Sequence, residues 1–133
     1  MSERVVVDTD VISIVLKGDT RAASYAALLD GKQPVVSFMT IAELKKWALK
    51  RKWGAKRMAW FSQHLRQMIV YSVDLELCER WAEVVVKAES LGRAISAQDA
   101  WIAATALQEK LPLVTNNAKD FDFLSDLTIL TSK

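Results

Sequence analysis

The 133-residue sequence is 51% hydrophobic and 26% charged, with four Gly and two Pro, a balance that excludes a disordered or fibrous chain. One cysteine, Cys78, and one histidine, His64, exclude an internal disulfide framework and a Cys/His zinc cluster, so acidic side chains must carry any metal chemistry. The net charge is only +2, no apolar run approaches the roughly 20 residues of a membrane span, and Met1–Arg4 does not open a secretory leader. The expectation is a single domain, residues 1–133, in a reducing cytoplasm and away from membranes.

The chain opens with Val5-Val6-Val7, a β-branched run suited to a short strand buried on both faces. The run stops at Asp8, and Thr9 or Asp10 can start a helix that includes Ile12–Leu16. Lys17-Gly18-Asp19-Thr20 is a turn with Asp19 or Thr20 as the next cap. Arg21–Asp30 reads as a helix ended by Gly31, and Pro34–Ser37 as the second strand. Thr40 caps a helix from Ile41 to about Lys52, with Ile41, Leu44, Ala48 and Leu49 on one face. Gly54 separates it from a helix over Ala55–Gln67, and Met68–Val73 is the third strand. Asp74 caps a helix to about Leu91 whose apolar stripe is Cys78, Trp81, Val85 and Ala88, which places Cys78 in the core. Ser96 starts a helix to Lys110 with Ala100, Trp101, Ala104 and Leu107 inward. Pro112–Thr115 and Leu127–Leu130 are the last strands. Alternating strands and helices predict an α/β chain, a central, mostly parallel sheet with helices on both faces.

Charge is unevenly spread. From Leu44 to Val73 there is no Asp or Glu, whereas Lys45, Lys46, Lys50, Arg51, Lys52, Lys56, Arg57 and Arg66 all fall inside. Such a limb suits phosphate contacts by counterion release. Lys45, Lys46, Lys50 and Lys52 are the candidate contacts to a nucleic-acid backbone. Among the tryptophans, Trp81 and Trp101 belong on core stripes, Trp47 and Trp60 in the core or against a partner, and His64 on a helix surface.

The acidic residues pose the opposite question. Asp8 ends the first strand, Glu43 falls in the first turn of the Thr40 helix, and Asp99 in the first turn of the Ser96 helix. Thr115-Asn116-Asn117-Ala118-Lys119-Asp120-Phe121 follows the fourth strand. Glu43 and Asp99 each fit a capping box, a purely structural role. Asp8 does not, since a lone carboxylate after Val-Val-Val is costly without a partner. Carboxylates gathered in one pocket repel each other unless a cation neutralises them, and Mg²⁺ or Mn²⁺ accepts such hard oxygen ligands.

In this order, Asp8-Thr9-Asp10, Thr40-Ile41-Ala42-Glu43, Gln98-Asp99-Ala100-Trp101 and Thr115-Asn116-Asn117 through Asp120-Phe121 resemble the motifs of PIN-domain ribonucleases. The similarity is to the VapC-type toxins of bacterial toxin–antitoxin pairs, and it spans nearly the whole chain. It implies a three-layer α/β/α sandwich, an endoribonuclease dependent on Mg²⁺ or Mn²⁺ that cuts tRNA or rRNA, a homodimer, and a cognate antitoxin protein. By position, Asp8, Glu43 and Asp99 match the acidic site and its metal ligands, and Thr115 the hydroxyl residue after the fourth strand. Thr9, Asp10 and Asn117 would support the site. Two departures stand out. Asp10 occupies a place where the family usually has Asn, and the fourth acidic position falls to either Asn117 or Asp120, of which the charged Asp120 is preferred.

Two other classes compete. Asp8-Thr9-Asp10 also opens like a haloacid-dehalogenase-type phosphatase with Asp8 as nucleophile, but the Gly that should follow and a late Gly-Asp motif are missing. A non-catalytic RNA- or protein-binding module would use the same carboxylates only as caps and show no metal-dependent turnover.

Overall fold

The computed structural model describes residues 3–132. Its strands are β1 (Glu3–Val7), β2 (Lys32–Ser37), β3 (Ile69–Tyr71), β4 (Leu113–Val114) and β5 (Ile129–Leu130). They form one sheet in the order β3-β2-β1-β4-β5, with every pairing parallel. The helices are α1 (Thr9–Lys17), α2 (Ala22–Leu29), α3 (Phe38–Arg51), α4 (Ala55–Arg66), α5 (Leu75–Ser90) and α6 (Ala97–Glu109).

Side chains alternate across a strand, and the two cores follow from that. Val5 and Val7 pack with Val36, Val114, Val11, Leu44 and Phe61 under α1–α4. Val6 packs with Val35, Leu113, Ile102 and Phe121 under α5 and α6. Covered on both faces, β1 needs an apolar side chain at each of these positions; Val5, Val6 and Val7 are all fully buried, each contributing about 2 kcal/mol of transfer free energy. The result is the three-layer α/β/α sandwich expected from the sequence.

The topology also locates a crevice. From β1 the chain builds β2 and β3 on one side, then crosses to β4 and β5 on the other. β1 and β4 are therefore neighbours at which the strand order reverses, and such a point opens a cleft beyond the strands' carboxyl ends.

Several local expectations change. α3 begins at Phe38, because the Ser37 hydroxyl accepts the Met39 N–H at 3.1 Å. Thr40 is thus a buried residue inside the helix, not its cap, and Glu43 lies in the second turn. Asp74 and Ser96 do cap their helices, accepting from Leu77 N–H at 2.8 Å and Asp99 N–H at 3.0 Å. Cys78 is exposed rather than in the core. The buried stripe of α5 is Leu77, Val84 and Ala88, with Trp81 and Val85 packed beside it; Leu77 and Cys78 are both apolar, so the helical period admitted either phase. Leu49 is 72% exposed, since Leu44 and Ala48 already fill the inner face of α3. Trp81 and Trp101 are half-buried, stacked on each other at 5.3 Å where α5 meets α6.

Candidate active site

Asp8 follows directly on β1 and its backbone carbonyl accepts the Val11 and Ile12 N–H groups at 3.1 and 3.3 Å, so strand end and helix start coincide there. Its carboxylate is 5% exposed. Across the strand-order reversal, the buried Thr115 hydroxyl donates to Asp8 Oδ2 at 2.8 Å, and Thr115 Oγ1 accepts the Asn117 N–H at 3.0 Å. Burial is the main force holding the Asp8 carboxyl well above the ordinary carboxylate range, with the charges of Asp10 and Asp99 adding to it and the Thr115 hydrogen bond opposing it.

Asp10 lies one position into α1. Asn117 Nδ2 donates to its Oδ2 at 2.8 Å, whereas its Oδ1 is buried without a hydrogen-bond partner. Burial raises its pKa, and hydrogen bonding to its carboxylate offsets part of that rise.

Glu43 reaches the same place from α3. Thr9 Oγ1 lies 2.8 Å from Glu43 Oε1 and 2.9 Å from Thr40 Oγ1, so its single proton serves one of the two at a time. Asp99 comes from the first turn of α6. Its pKa is pushed up first by burial, then by the charge of Asp120, with smaller contributions from Glu43 and Asp10 and a downward pull from Ser96. Asp8 and Asp10 at the start of α1, Glu43 on α3, Asp99 on α6 and Asp120 after β4, drawn from four separate segments, all act on one crevice at the carboxyl edge of the sheet.

Asp120 ends a 3-10 turn, Ala118–Asp120, and is exposed. Asn117 is turned toward Asp10 instead. Beneath them, the fully buried Tyr25 hydroxyl donates to Asn116 Oδ1 at 2.7 Å and sits 3.3 Å from the Thr115 carbonyl. Tyr25 and Asn116 are supports that sequence patterning did not single out, because 91 residues separate them.

The chemistry of this donor set suits a divalent cation. Its oxygens are hard, one buried carboxylate oxygen is unpartnered, and neighbouring carboxylates raise the proton affinity of Asp8 and Asp99, which a positive ion would reverse. Among the described residues no three acidic side chains are already drawn into a closed cage.

The basic limb adjoins the crevice but is not uniform. Lys45, Lys46, Lys50 and Lys52 are all exposed. Glu43, Lys46, Trp47 and Lys50 recur at helical spacing and line a groove of about 670 Å³ with Met39, Ala42, Arg51 and Gln98. Lys45 and Lys52 lie outside that lining. Trp47 is half-buried, edge-on to Trp53 at 5.0 Å, with Lys17 and Arg51 over its ring. Trp60 is 39% exposed and its ring lies 4.5 Å from that of His64.

A family model described as PIN domain matches residues 5–125. The chain belongs to the PIN-domain family. This PIN domain is 28% identical over 122 residues to a protein named Ribonuclease VapC1 from Haemophilus influenzae strain R2866, an alignment covering 90% of this chain and 91% of that one. Its fold is similar to a solved structure of VapBC-1 from nontypeable Haemophilus influenzae, with a TM-score of 0.84, 25% identity, and 97% and 98% of the two chains covered. It is similar also to VapBC2 from Rickettsia felis, solved bound to a DNA fragment from their promoter, with a TM-score of 0.83, 22% identity and coverage of 96% and 98%. The phosphatase alternative, which shared only the opening Asp8-Thr9-Asp10, gives way to a match that runs through all four motifs.

Proposed function

We propose that this PIN domain, residues 1–133 as one unit, is a divalent-metal-dependent endoribonuclease and the toxin of a toxin–antitoxin pair. The observation that carries the reading is the gathering of Asp8, Glu43, Asp99 and Asp120 at the strand-order reversal, where burial and neighbouring carboxylates raise the proton affinity of Asp8 and of Asp99. Relatives named as ribonucleases, at 28% identity over most of the chain, support it.

Asp8, Asp99 and Glu43 would hold Mg²⁺ or Mn²⁺. When bound, such an ion supplies an acidified water and positive charge for the phosphate oxygens of an in-line displacement. The protein's own groups do the rest. Thr115 fixes the orientation of Asp8 through Oδ2, and Thr9 that of Glu43 through Oε1. Asn117 offsets the added charge of Asp10. Asp120, exposed at the rim, orients the attacking water. Lys46 and Lys50, one and two helical turns along α3 from Glu43, take phosphates flanking the scissile bond, drawing in the polyanion by counterion release.

Exposed apolar side chains on α3 and α4, Leu49 and Trp60, offer surface to a partner chain, for which we propose the cognate antitoxin and a second copy. Among the described residues no helix is long and apolar enough to cross a membrane, and we propose the cytoplasm, where tRNA and rRNA are found, as the place of action. The test is to incubate the purified protein with pooled tRNA and rRNA in Mg²⁺, Mn²⁺ or EDTA. Discrete fragments with either metal and none in EDTA are expected. Tight RNA binding with no metal-dependent cleavage would favour the binding-module alternative.

A further inference from the structure

Arg93 belongs to none of the acidic motifs. It lies in the short connection between α5 and α6, where Gly92 at φ 66° lets the chain turn and the Arg93 N–H bonds back to the Ala88 carbonyl at 2.9 Å. That closure, with its left-handed glycine, fixes the arginine backbone at the end of α5. Its side chain then reaches 29 residues ahead: Nη1 donates to Asp122 Oδ1 at 2.9 Å, Nη2 donates to the Lys119 carbonyl, and the guanidinium lies 5.1 Å from the centre of the Phe123 ring. These contacts fall on both sides of Asp120.

Asp120 itself is exposed, and the segment carrying it is anchored by the buried Phe121 on one side and by the Asn117 bonds to Thr115 and Asp10 on the other. Three residues beyond Arg93, Ser96 begins α6 and so places Asp99. One side chain therefore joins the connection that sets Asp99 to the turn that sets Asp120. Arg93 spends its charge on Asp122 and its fork on two acceptors, a planar bidentate arrangement that a lysine cannot reproduce.

We propose that Arg93 is a positioning residue that clasps the 119–123 segment and so holds Asp120 opposite Asp99 across the crevice. The proposal rests on the nuclease reading and on Asp120 as the fourth carboxylate. An exposed ion pair of this kind contributes little to global stability, so the clasp acts on geometry, where a displacement of about 1 Å can cost 100-fold in rate.

The experiment compares Arg93→Met, which keeps the stem over Phe123 but loses both donors, with Arg93→Lys, Asp122→Asn and Asp120→Asn. Arg93→Met is expected to lower kcat on RNA by about ten- to a hundredfold with KM and thermal midpoint nearly unchanged. Arg93→Lys should fall between it and the native protein. Amide hydrogen exchange at residues 118–122 should quicken in Arg93→Met and Asp122→Asn without RNA or metal, and combining the two substitutions should add no further loss. Native kcat in Arg93→Met overturns the clasp when Asp120→Asn is inactive. A loss of activity matched by a fall in thermal midpoint, with exchange at 118–122 unchanged, overturns it too. If Asp120→Asn cleaves normally while Asp8→Asn does not, Asp120 is no site residue and the clasp falls with it, while the nuclease reading stands.

Discussion

The acidic crevice and the basic limb of α3 and α4 are built on opposite terms. In the crevice, the carboxylates other than the exposed Asp120 are buried or half-buried, and neutral donors hold three of them in place: Thr115 on Asp8, Asn117 on Asp10, Thr9 on Glu43. In the limb the four lysines are exposed on a helix surface. On the proposed function the carboxylates need fixing, because a metal and a water would demand placement within fractions of an ångström. Lysines that meet a polyanion act through the field, and need only be on the right face. The contrast teaches that the two regions should fail differently: the crevice through turnover and metal affinity, the limb through binding and salt dependence.

Asp8→Asn and Asp99→Asn should break the crevice most completely. Either should remove cleavage by more than the roughly 100-fold typical of a residue that merely orients a ligand. Asn at position 8 can still accept from Thr115, so the fold should persist. Full activity in Asp8→Asn would end the nuclease assignment. The next effect separates the two candidates after β4. Asp120→Asn should lower turnover by orders of magnitude and raise the Mn²⁺ needed, whereas Asn117→Ala, which frees Asp10 without removing a ligand, should cost about tenfold. The reverse ranking would make Asn117 the fourth site residue.

The limb sharpens the comparison from the other side. Lys46→Gln with Lys50→Gln should raise KM, leave kcat nearly unchanged, and reduce the salt slope of RNA binding by roughly 1.4, or 0.7 for each phosphate contact to a single strand. Lys45→Gln with Lys52→Gln should do little, because those side chains do not line the groove beside Glu43. Equal effects from the two pairs would mean that the whole limb, and not one helix face, meets the RNA.

The smallest expected effect is on stability. The Asp8 carboxyl is held above its ordinary value of 3.8, first by burial, so the protonated form is favoured in the fold. Stability from this group is fully present below the unfolded pKa and is lost as pH rises through the higher folded one. In EDTA, the thermal midpoint of the native protein should therefore fall relative to Asp8→Asn as pH rises through that window. Melts across pH check this, at roughly 4 °C per kcal/mol of relieved repulsion. Parallel curves for the two proteins would contradict it.

What could be read from the sequence was what is local or costly. Val5–Val7 announced a doubly covered strand, and Asp8 announced a buried, partnered carboxylate because burying an unpaired charge is expensive. Asp74 and Ser96 were legible as caps since their partners are three residues away. Glu43 was placed in the wrong turn because Ser37 and Thr40 are both able to cap and lie three residues apart; the extended backbone at Ser37 decides it. The phase of α5 was ambiguous for the same kind of reason, with Leu77 and Cys78 adjacent. The bonds that shape the crevice were invisible, since Thr9 meets Glu43 across 34 positions and Thr115 meets Asp8 across 107. Arg93 left no signal at all, as nothing near it in sequence needs an arginine.

On the proposed function, a divalent cation binds among Asp8, Glu43 and Asp99. Calorimetric titration with Mn²⁺, without RNA and in two buffers of different ionisation enthalpy, tests it most directly. Saturable binding is predicted, accompanied by proton release, because groups held in a proton-hungry state must give up protons to coordinate. Affinity should rise with pH, and Asp8→Asn should lose it. Binding of equal strength in the native protein and Asp8→Asn, or none in either, would contradict the account.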